Sequence, residues 1–231
     1  MCERYVLPDK ATAEREFLPD RAWWQFGQRF NVASPQYVPA LRLHDRDVEA
    51  VMLRWGFVPA AAEGVIAPDA PTSIPAGWMD RSPLIGPAWR AARRCILPVA
   101  GFYAWQLTEA RYRQPFFVRL AERSVFGLAA VWDRSVGDDD DVIESCALVT
   151  VERNALLQGV ANTASSMPAI LKRRDYQTWL RGAQPDAFAA LQPYPAHLML
   201  AHPVSPRINS KAPDDATLIE PVAWTLSGSR P

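Results

Sequence analysis

The run Cys95–Gln106, with the sequence CILPVAGFYAWQ, is the most strand-like stretch of the chain. Pro98 and Gly101 interrupt it, and both residue types favour a bulge or a bend inside a strand. Three more strand-like segments follow at hairpin-like intervals: Gln114–Leu120, Ser124–Val131 and Val142–Val149. This spacing predicts an antiparallel β sheet built outward from Cys95–Gln106.

Further strands are predicted on both sides of this central sheet. The period-2 pattern or strand-forming composition indicates Arg29–Val32, Tyr37–Leu43, Val48–Trp55, Leu198–Val204 and Leu218–Trp224. The stretch from Pro59 to Pro87 is rich in Pro, Ala and Gly and has no period, which is typical of a functional or disordered segment. The acidic run Asp138–Asp141 is interpreted as a solvated loop.

Four helices are expected around the sheet. Asp9 is a candidate N-cap for Asp9–Leu18, with Ala13, Phe17 and Leu18 facing inward. The three later helical segments are Val151–Val160, Lys172–Arg181 and Asp186–Leu191, and Thr150 is a candidate cap for the first of these. The prediction is one α+β domain over residues 1–231, with a curved or barrel-like, mainly antiparallel sheet and a few peripheral helices.

Composition excludes several classes of protein. The 25 basic and 25 acidic residues give no bulk electrostatic case for nucleic acid, so any basic surface must be local. No segment approaches the length needed to cross a membrane, and no signal peptide is recognised. The cysteines are odd in number and widely spaced, which indicates a reducing cytoplasm. The histidines do not have the spacing of a zinc site, so neither a metal site nor another cofactor is predicted. The residues concerned are Cys2, Cys95, Cys146, His44, His197 and His202.

An ordered set of short stretches carries a resemblance to a known family. The stretches are Met1–Tyr5 (MCERY), Arg29–Ala33 (RFNVA), Arg54–Pro59 (RWGFVP), Cys95–Trp105 (CILPVAGFYAW), Gln114–Phe117 (QPFF), Ser166–Leu171 (SMPAIL) and His202–Ser205 (HPVS). In this order and at these separations they resemble the SRAP family, the SOS response-associated peptidases or abasic-site processing proteins. The resemblance extends from residue 1 to about residue 223.

The resemblance implies a chemistry for Cys2. Members of the family bind single-stranded DNA at an abasic site, and their N-terminal cysteine traps the sugar aldehyde first as an imine and then as a thiazolidine. The same N-terminal group is tied to autoproteolytic removal of whatever precedes the cysteine. The expected partner is therefore single-stranded DNA with abasic sites. When bound, the protein would be nucleoid-associated in the cytoplasm, and the oligomeric state is left open with a monomer as the default.

The same resemblance assigns roles to eight further positions. Arg4 would contact phosphate, and Asn31 would hold the sugar or order the Cys2 loop. The remaining residues would line the strand-binding face or its polar edge: Arg54, Trp55, Tyr103, Trp105, Asn209 and Lys211. The alternative for Trp55, Tyr103 and Trp105 is a place in the core, since they lie in predicted strands. Arg54 could instead form a structural ion pair.

Several family positions are changed in this chain. The family's Gly-Phe-Tyr-Glu-Trp is interrupted by Ala104, and its His-Asp-Arg-Met-Pro has become Ala164-Ser165-Ser166-Met167-Pro168. The family's Asn-Ala-Arg-Ala-Glu motif should fall near residues 73–78, where the chain reads SIPAGW. Glu3 also replaces the glycine that usually follows the cysteine. Two acid–base groups and two arginines are therefore missing from the expected site.

These changes leave three hypotheses open. The first is abasic-site capture that relies on Cys2 alone, and the second is a degenerate paralogue that only binds DNA or a protein partner. The third is an unrelated cysteine hydrolase that pairs Cys2 with His202 or His44. A substitute acid or base could have moved in from another part of the fold, with candidates Glu63, Asp80, Glu109 and His202. Any imine chemistry also requires removal of Met1, because an amide nitrogen cannot condense with an aldehyde.

Overall fold

The structure is a computed structural model that describes residues 4–109 and 111–223. The strands within these residues are β1 (Arg4–Leu7), β2 (Arg21–Ala22), β3 (Arg29–Ala33), β4 (Tyr37–His44), β5 (Asp47–Trp55), β6 (Ser73–Pro75), β7 (Arg94–Val99), β8 (Gly101–Leu107), β9 (Arg113–Leu120), β10 (Phe126–Val136), β11 (Val142–Glu152), β12 (Ser166–Pro168), β13 (Ile170–Leu171) and β14 (Met199–Pro203). The α-helices are α1 (Lys10–Phe17), α2 (Gly86–Arg90), α3 (Ala155–Val160), α4 (Tyr176–Arg181) and α5 (Gln184–Ala189).

The longer strands form a barrel. Its order is β11-β10-β7-β4-β5, and β5 closes the ring by pairing in parallel with β11 at Arg54–Ser145 and Trp55–Cys146. The other barrel pairings are antiparallel. The short strands β2, β6, β12 and β13 extend its margins. The predicted fold class, a barrel-like and mainly antiparallel sheet with a few peripheral helices, is therefore confirmed.

A second sheet packs against the barrel in the order β14-β9-β8-β1-β3, and its pairings are antiparallel. Strand β1 lies inside it, between β3 and β8, with Tyr5 opposite Phe102 and Arg4 opposite Ala33. This sheet therefore pairs the segment that follows Cys2 with β8, which belongs to the run Cys95–Gln106.

The run Cys95–Gln106 connects the two sheets. Strand β7 belongs to the barrel and β8 to the second sheet, with Ala100 between them, so the predicted bend transfers the chain from one sheet to the other. Gly101 stands at the crossing, where a Cβ atom would collide with the ring of Phe117 and the carbonyl oxygen of Val118. Only a residue without a side chain permits this close approach.

Two predicted elements near the carboxyl half differ from the structure. Helix Val151–Val160 is wrong at its start, because β11 continues to Glu152 by pairing with β12. The helix begins at Ala155 instead, where the Asn154 side chain accepts a 3.0 Å hydrogen bond from the Leu157 amide. The predicted strand Leu218–Trp224 is also wrong, since Ala216–Ile219 is a 3₁₀ helix capped by Asp215. Trp224 lies outside the described residues.

The amino-terminal helix is confirmed with one correction. Asp9 caps α1 by accepting a 2.9 Å hydrogen bond from the Thr12 amide, and Ala13 is buried. Phe17 stacks on Tyr176, but Leu18 is exposed because it adopts the left-handed conformation that ends the helix. Among residues 4–109 and 111–223, no helix is long and apolar enough to cross a bilayer.

Candidate functional site

Arg4 is held in place at the start of β1. Its Nη1 donates hydrogen bonds to the side-chain oxygen of Asn31 at 2.6 Å and to the carbonyl oxygen of Ser210 at 3.1 Å. Its Nη2 donates to the Asn209 carbonyl at 3.4 Å. Asn31 donates in turn to the carbonyls of Ser210 and Pro213, at 3.0 and 2.7 Å. The guanidinium therefore ties β1 to β3 and to the segment after residue 209.

Asn209 extends this network to the centre of the second sheet. Its side-chain oxygen accepts a 2.8 Å hydrogen bond from Nε1 of Trp105 on β8. Lys211, two residues later, donates from Nζ to the Ser34 carbonyl at 3.2 Å. Arg54 contacts the same region, because its Nη1 donates to the Gly56 carbonyl at 2.6 Å and lies against Ser34 and Gly56. The structure thus joins Asn31, Asn209 and Trp105 to Arg4 in one hydrogen-bonded network, whereas Lys211 and Arg54 contact Ser34 and Gly56.

Charge and burial keep Tyr103 neutral inside this network. Burial raises the pKa of Tyr103 well above its ordinary value, the Asp214 carboxylate raises the pKa further, and Arg4 acts in the opposite direction. The hydroxyl donates a 2.8 Å hydrogen bond to the Phe30 carbonyl. Asp214 accepts hydrogen bonds from the amides of Phe30 and Asn31, which fix its side chain beside β3.

The predicted stacking face of Trp55, Tyr103 and Trp105 is corrected by the structure. Their exposures are 0%, 1% and 5%, so none offers a free ring face to a base. Trp55 packs on Tyr5 with ring centroids 5.1 Å apart and donates from Nε1 to the Thr72 carbonyl. A buried indole normally finds such a partner for its N–H, and here that partner lies within the protein. These three residues belong to the core.

Two of the exposed aromatic residues, Trp78 and Tyr37, lie next to predicted site segments but were not among the predicted site residues. Trp78 is 62% exposed and forms the end of a 3₁₀ helix, Ala76–Trp78. Tyr37 is also exposed, and it stands opposite Arg54 in the β4–β5 pair. The signal for Trp78 was its position in Pro59–Pro87, where no period assigns an aromatic side chain to a core face.

The two positions at which the family resemblance implied an acid and a base face the same cavity. Ala104 on β8 and Ala164 and Ser166 near β12 all line a cavity of about 40 Å³, which holds only one or a few water molecules. Trp105 lines it as well, and the Arg113 guanidinium lies 5.6 Å from the Trp105 ring centroid. No carboxylate or imidazole is among the described residues that line the cavity.

The third altered motif lies next to this cavity. Pro75, Ala76 and Gly77 line a groove of about 450 Å³ together with Glu152 and Ser166, and Ser166 also lines the smaller cavity. Strand β6 is held there by its parallel pairing with β11. Segments that are far apart in the sequence, near residues 75, 104 and 165, therefore meet at one place.

Other candidate groups are located away from this cavity. His202 Nε2 lies 2.8 Å from the Ile219 carbonyl oxygen, and its ring packs edge-on against Phe117. His44 is exposed beside Asp45 at the end of β4. The proposed replacement groups do not line the cavity: Glu63, Asp80, Glu109 and His202. In the part of the chain that the structure describes, no group of three or more His, Cys, Asp or Glu side chains is arranged to hold a metal ion.

Two of the three cysteines are core residues of the barrel. Cys95 and Cys146 are both fully buried in the barrel and unpaired, as their place in apolar strands predicted. Burial raises the pKa of the Cys95 thiol well above its ordinary value, so the thiolate is disfavoured. The predicted nucleophile, Cys2, lies outside the described residues together with Met1 and Glu3.

Comparison with known families decides the assignment of the chain. The model of the SOS response associated peptidase (SRAP) family matches residues 1–211. The chain belongs to the SRAP family. SRAP relatives in Bacillus subtilis strain 168 include the abasic site processing proteins YoqW and YoaM, each 25% identical to this chain. The YoqW match covers 89% of this chain and 90% of that protein, and the YoaM match covers 85% and 86%.

Solved structures share the SRAP fold described above. A crystal structure of a protein from Bacteroides thetaiotaomicron superposes with a TM-score of 0.81, covering 96% of this chain and 100% of that one at 20% identity. A second, from Bordetella bronchiseptica, has a TM-score of 0.73 and covers 88% of this chain and 100% of its own at 21% identity. At these identities the likeness concerns the fold alone.

Proposed function

We propose that this protein processes abasic sites in single-stranded DNA, with Cys2 as the group that captures the sugar aldehyde. Membership of the SRAP family supports this proposal, as does the naming of its relatives as abasic site processing proteins. The observation that carries it is the Arg4 network, which anchors the chain immediately after Cys2. Two residues span at most about 7 Å of chain, so Cys2 stays within that distance of a buried, fixed anchor.

The capture needs a free N-terminal Cys2. After removal of Met1, the α-amine condenses with the aldehyde of the ring-opened sugar and releases one water molecule to form an imine. The Cys2 thiolate then adds to the imine carbon while a proton goes to the nitrogen, which closes a thiazolidine ring. With pKa values of roughly 7.7–8 for an α-amine and about 8.5 for a thiol, both groups are partly deprotonated near neutral pH. We extend the proposal to autoproteolytic removal of Met1 by the same N-terminal group.

The missing acid–base groups predict slow capture. A positioned general acid or base contributes typically ~10²–10⁴-fold to a rate. Ala104 and Ala164 supply neither, although imine and thiazolidine formation are intrinsic to an aminothiol. Single-stranded DNA would be held by stacking on exposed rings instead of the buried ones, and Trp78 is the exposed ring beside the groove.

A specific observation favours a second candidate function. The cavity lined by Ala104, Ala164 and Ser166 contains no carboxylate or imidazole among the described residues. A protein that had lost capture altogether, and that only binds DNA or a protein partner, would carry the same substitutions. The two candidates differ in one property: whether Cys2 forms a covalent bond with a lesion.

The test begins with the intact mass of the purified protein, which reports whether Met1 has been removed. The protein with free Cys2 is then incubated with uracil-containing single-stranded DNA that has been treated with uracil glycosylase, and the mixture is run on a denaturing gel. We expect a slowly formed, retarded band that is absent in Cys2→Ala. Absence of this band from protein with a verified free Cys2 would rule out capture, and retained DNA binding would then support the second candidate.

A gain-of-function variant sharpens the test. Ala104→Glu combined with Ala164→His restores the two acid–base groups that the family resemblance implies, and we expect faster band formation. The matched control is Ala61→Glu with Ala121→His, since both residues are exposed and line neither the small cavity nor the groove beside Pro75–Gly77. Equal rates for the restored variant and the control would contradict the roles assigned to positions 104 and 164.

A further inference from the structure

A large groove lies beside helices α4 and α5. Its volume is about 710 Å³, and its walls include Lys172, Arg174 and Arg181 together with two carboxylates, Asp175 and Asp186. None of these residues belongs to the stretches that carried the family resemblance. The groove therefore needs an explanation of its own.

The basic residues of the groove are not fully neutralised. Arg174 lies 3.7 Å from Asp175, and Arg181 lies 3.9 Å from Asp20 outside the groove. Lys172 has no ion pair within 4.0 Å among the residues that the structure describes. Arg181 also donates hydrogen bonds to the Gln177 side chain and to the Arg46 carbonyl, at 2.6 and 2.7 Å. Exposed ion pairs contribute little, so Lys172 and Arg174 are the cations most available to a ligand.

A buried arginine adds positive charge behind the groove wall. Arg94 is 2% exposed and lies between Trp89 and Trp179, with its guanidinium carbon 5.7 and 5.9 Å from the two ring centroids. Its Nη2 donates a 2.6 Å hydrogen bond to the carbonyl of Gly182, a residue of the groove wall. Its Nε and Nη1 have no hydrogen-bond partner among the described residues.

This arrangement favours an anion in the groove. The Arg94 guanidinium has no carboxylate partner within ion-pair distance in residues 4–109 and 111–223, and its aromatic neighbours screen charge less than water does. Three cations on the walls and one behind them face two carboxylates, so the groove is positive in a protein with equal numbers of acidic and basic residues. Because the whole chain has no excess of basic residues, a nucleic-acid-binding surface on it must be a local basic region, and this groove is one.

The groove is also adjacent to the candidate site. Gln192 lines both this groove and the groove beside Pro75–Gly77. Ser166 lines the latter and the small cavity at Ala104 and Ala164. Three adjoining depressions therefore lead from the positions of the missing acid–base groups to the basic residues at α4.

We propose that the α4–α5 groove binds the phosphates of the single strand that flanks the lesion. The proposal rests on the proposed function, because it takes single-stranded DNA as the ligand of the adjoining site. The groove supplies affinity at a distance from Cys2, which compensates for the arginines missing from the family motifs. The occupant is a phosphodiester backbone and not an acidic peptide, since the groove continues from the candidate DNA site.

The test measures binding of plain single-stranded DNA, without a lesion, to a Cys2→Ala protein by fluorescence anisotropy. The probes are oligonucleotides of about 6 and about 20 nucleotides, the first within and the second above the usual site size of about 4–16 nucleotides for one binding domain. The variant is Lys172→Glu with Arg174→Glu. We expect about tenfold weaker binding of the long probe, and a slope of log affinity against log salt that is smaller by about 1.4, which corresponds to two lost phosphate contacts.

A control variant separates a local effect from a change in net charge. Arg119→Glu with Arg134→Glu changes the charge by the same amount, and neither residue lines the three depressions. Its salt slope should remain within error of the parent's. Equal slopes for the groove variant and this control would overturn the proposal. A polyglutamate peptide that binds the parent but not the groove variant would show that the groove binds an acidic peptide. Together with an unchanged DNA salt slope in the variant, this result would overturn the choice of DNA.

The result is independent of covalent capture. Capture is measured separately on a short lesion-containing oligonucleotide, where the groove variant should form the same Cys2-dependent band as the parent. If the parent forms no band but the groove variant still has the smaller salt slope, only the proposed capture is contradicted. An unchanged salt slope in the groove variant, with normal band formation, contradicts the groove alone.

Discussion

The Nη1 atom of Arg4 donates a 2.6 Å hydrogen bond to the side-chain oxygen of Asn31, and both residues also bind the Ser210 carbonyl. Asn31 is buried on β3, and Arg4 is buried at the start of β1. The pair therefore connects the two strands through side chains and fixes the segment after residue 209 on top of them. This connection lies two residues from Cys2.

The Arg4–Asn31 pair is expected to act as one unit. Arg4→Ala and Asn31→Ala should each destabilise the fold by about 1–3 kcal/mol, because each leaves a buried polar group without its partner. The double variant should cost less than the sum of the two, with a coupling energy of about 1 kcal/mol or more. Denaturant unfolding of the four proteins measures this, and strict additivity would show that the pair contributes nothing as a pair.

Trp78 and Trp55 are expected to respond in opposite ways to truncation. Trp78→Ala should leave the free energy of unfolding nearly unchanged and weaken single-stranded DNA binding by about 1–3 kcal/mol, the usual value for a base-stacking ring. Trp55→Ala should destabilise the fold by about 3–5 kcal/mol because it empties a buried site. Trp23→Ala is the matched control, since Trp23 is 68% exposed and directly follows β2. Equal losses of binding in Trp78→Ala and Trp23→Ala would remove Trp78 from the DNA surface.

The thiols should fall into two classes. Of the three cysteines, Cys95 and Cys146 are fully buried, and burial raises the pKa of Cys95. An aromatic disulfide reagent should therefore modify at most one thiol per native chain, and none in Cys2→Ala. In denaturant it should modify all three. Rapid modification of two or more thiols in the native protein would contradict the burial of the barrel cysteines.

Alkaline pH should destabilise the protein through Tyr176. Burial raises the pKa of Tyr176 to about 12, and its hydroxyl accepts a 2.9 Å hydrogen bond from the Gly127 amide. An unfolded tyrosine titrates near ~10, so the folded state holds the proton more tightly. The resulting stabilisation is complete below pH ~10 and is lost as the pH rises toward ~12, by up to about 3 kcal/mol.

Tyr176→Phe checks this assignment. The variant should be less stable at neutral pH, since the Gly127 amide loses its acceptor, but its stability should fall less steeply at high pH. Tyr103, whose pKa burial also raises, contributes in the same direction and accounts for the part of the fall that remains. Tyr112→Phe, at an exposed tyrosine, is the control and should keep the parent's pH profile.

Local sequence signals were accurate where neighbouring residues decide the structure. Asp9 caps α1 as expected, and the bend expected at Pro98 and Gly101 is present between β7 and β8. The helix predicted to begin after Thr150 is wrong at its start because residues distant in sequence decide the structure of this segment. Thr150 pairs with Pro168 and Glu152 with Ser166 on β12, and partners this far along the chain leave no mark in the local pattern.

By itself, the sequence determined most of the longer strands, the cap of α1, the bend between β7 and β8, and membership of the SRAP family, because these depend on adjacent residues and on ordered motifs. The tertiary structure decided which aromatic rings are buried, since Trp55 and Trp105 belong to the core whereas Trp78 is exposed. It also brought Ala104, Ala164 and Ser166 to one cavity and joined that cavity to the basic groove at α4. Such contacts form only when the barrel closes and the second sheet packs against it, so no periodicity along the chain contains them.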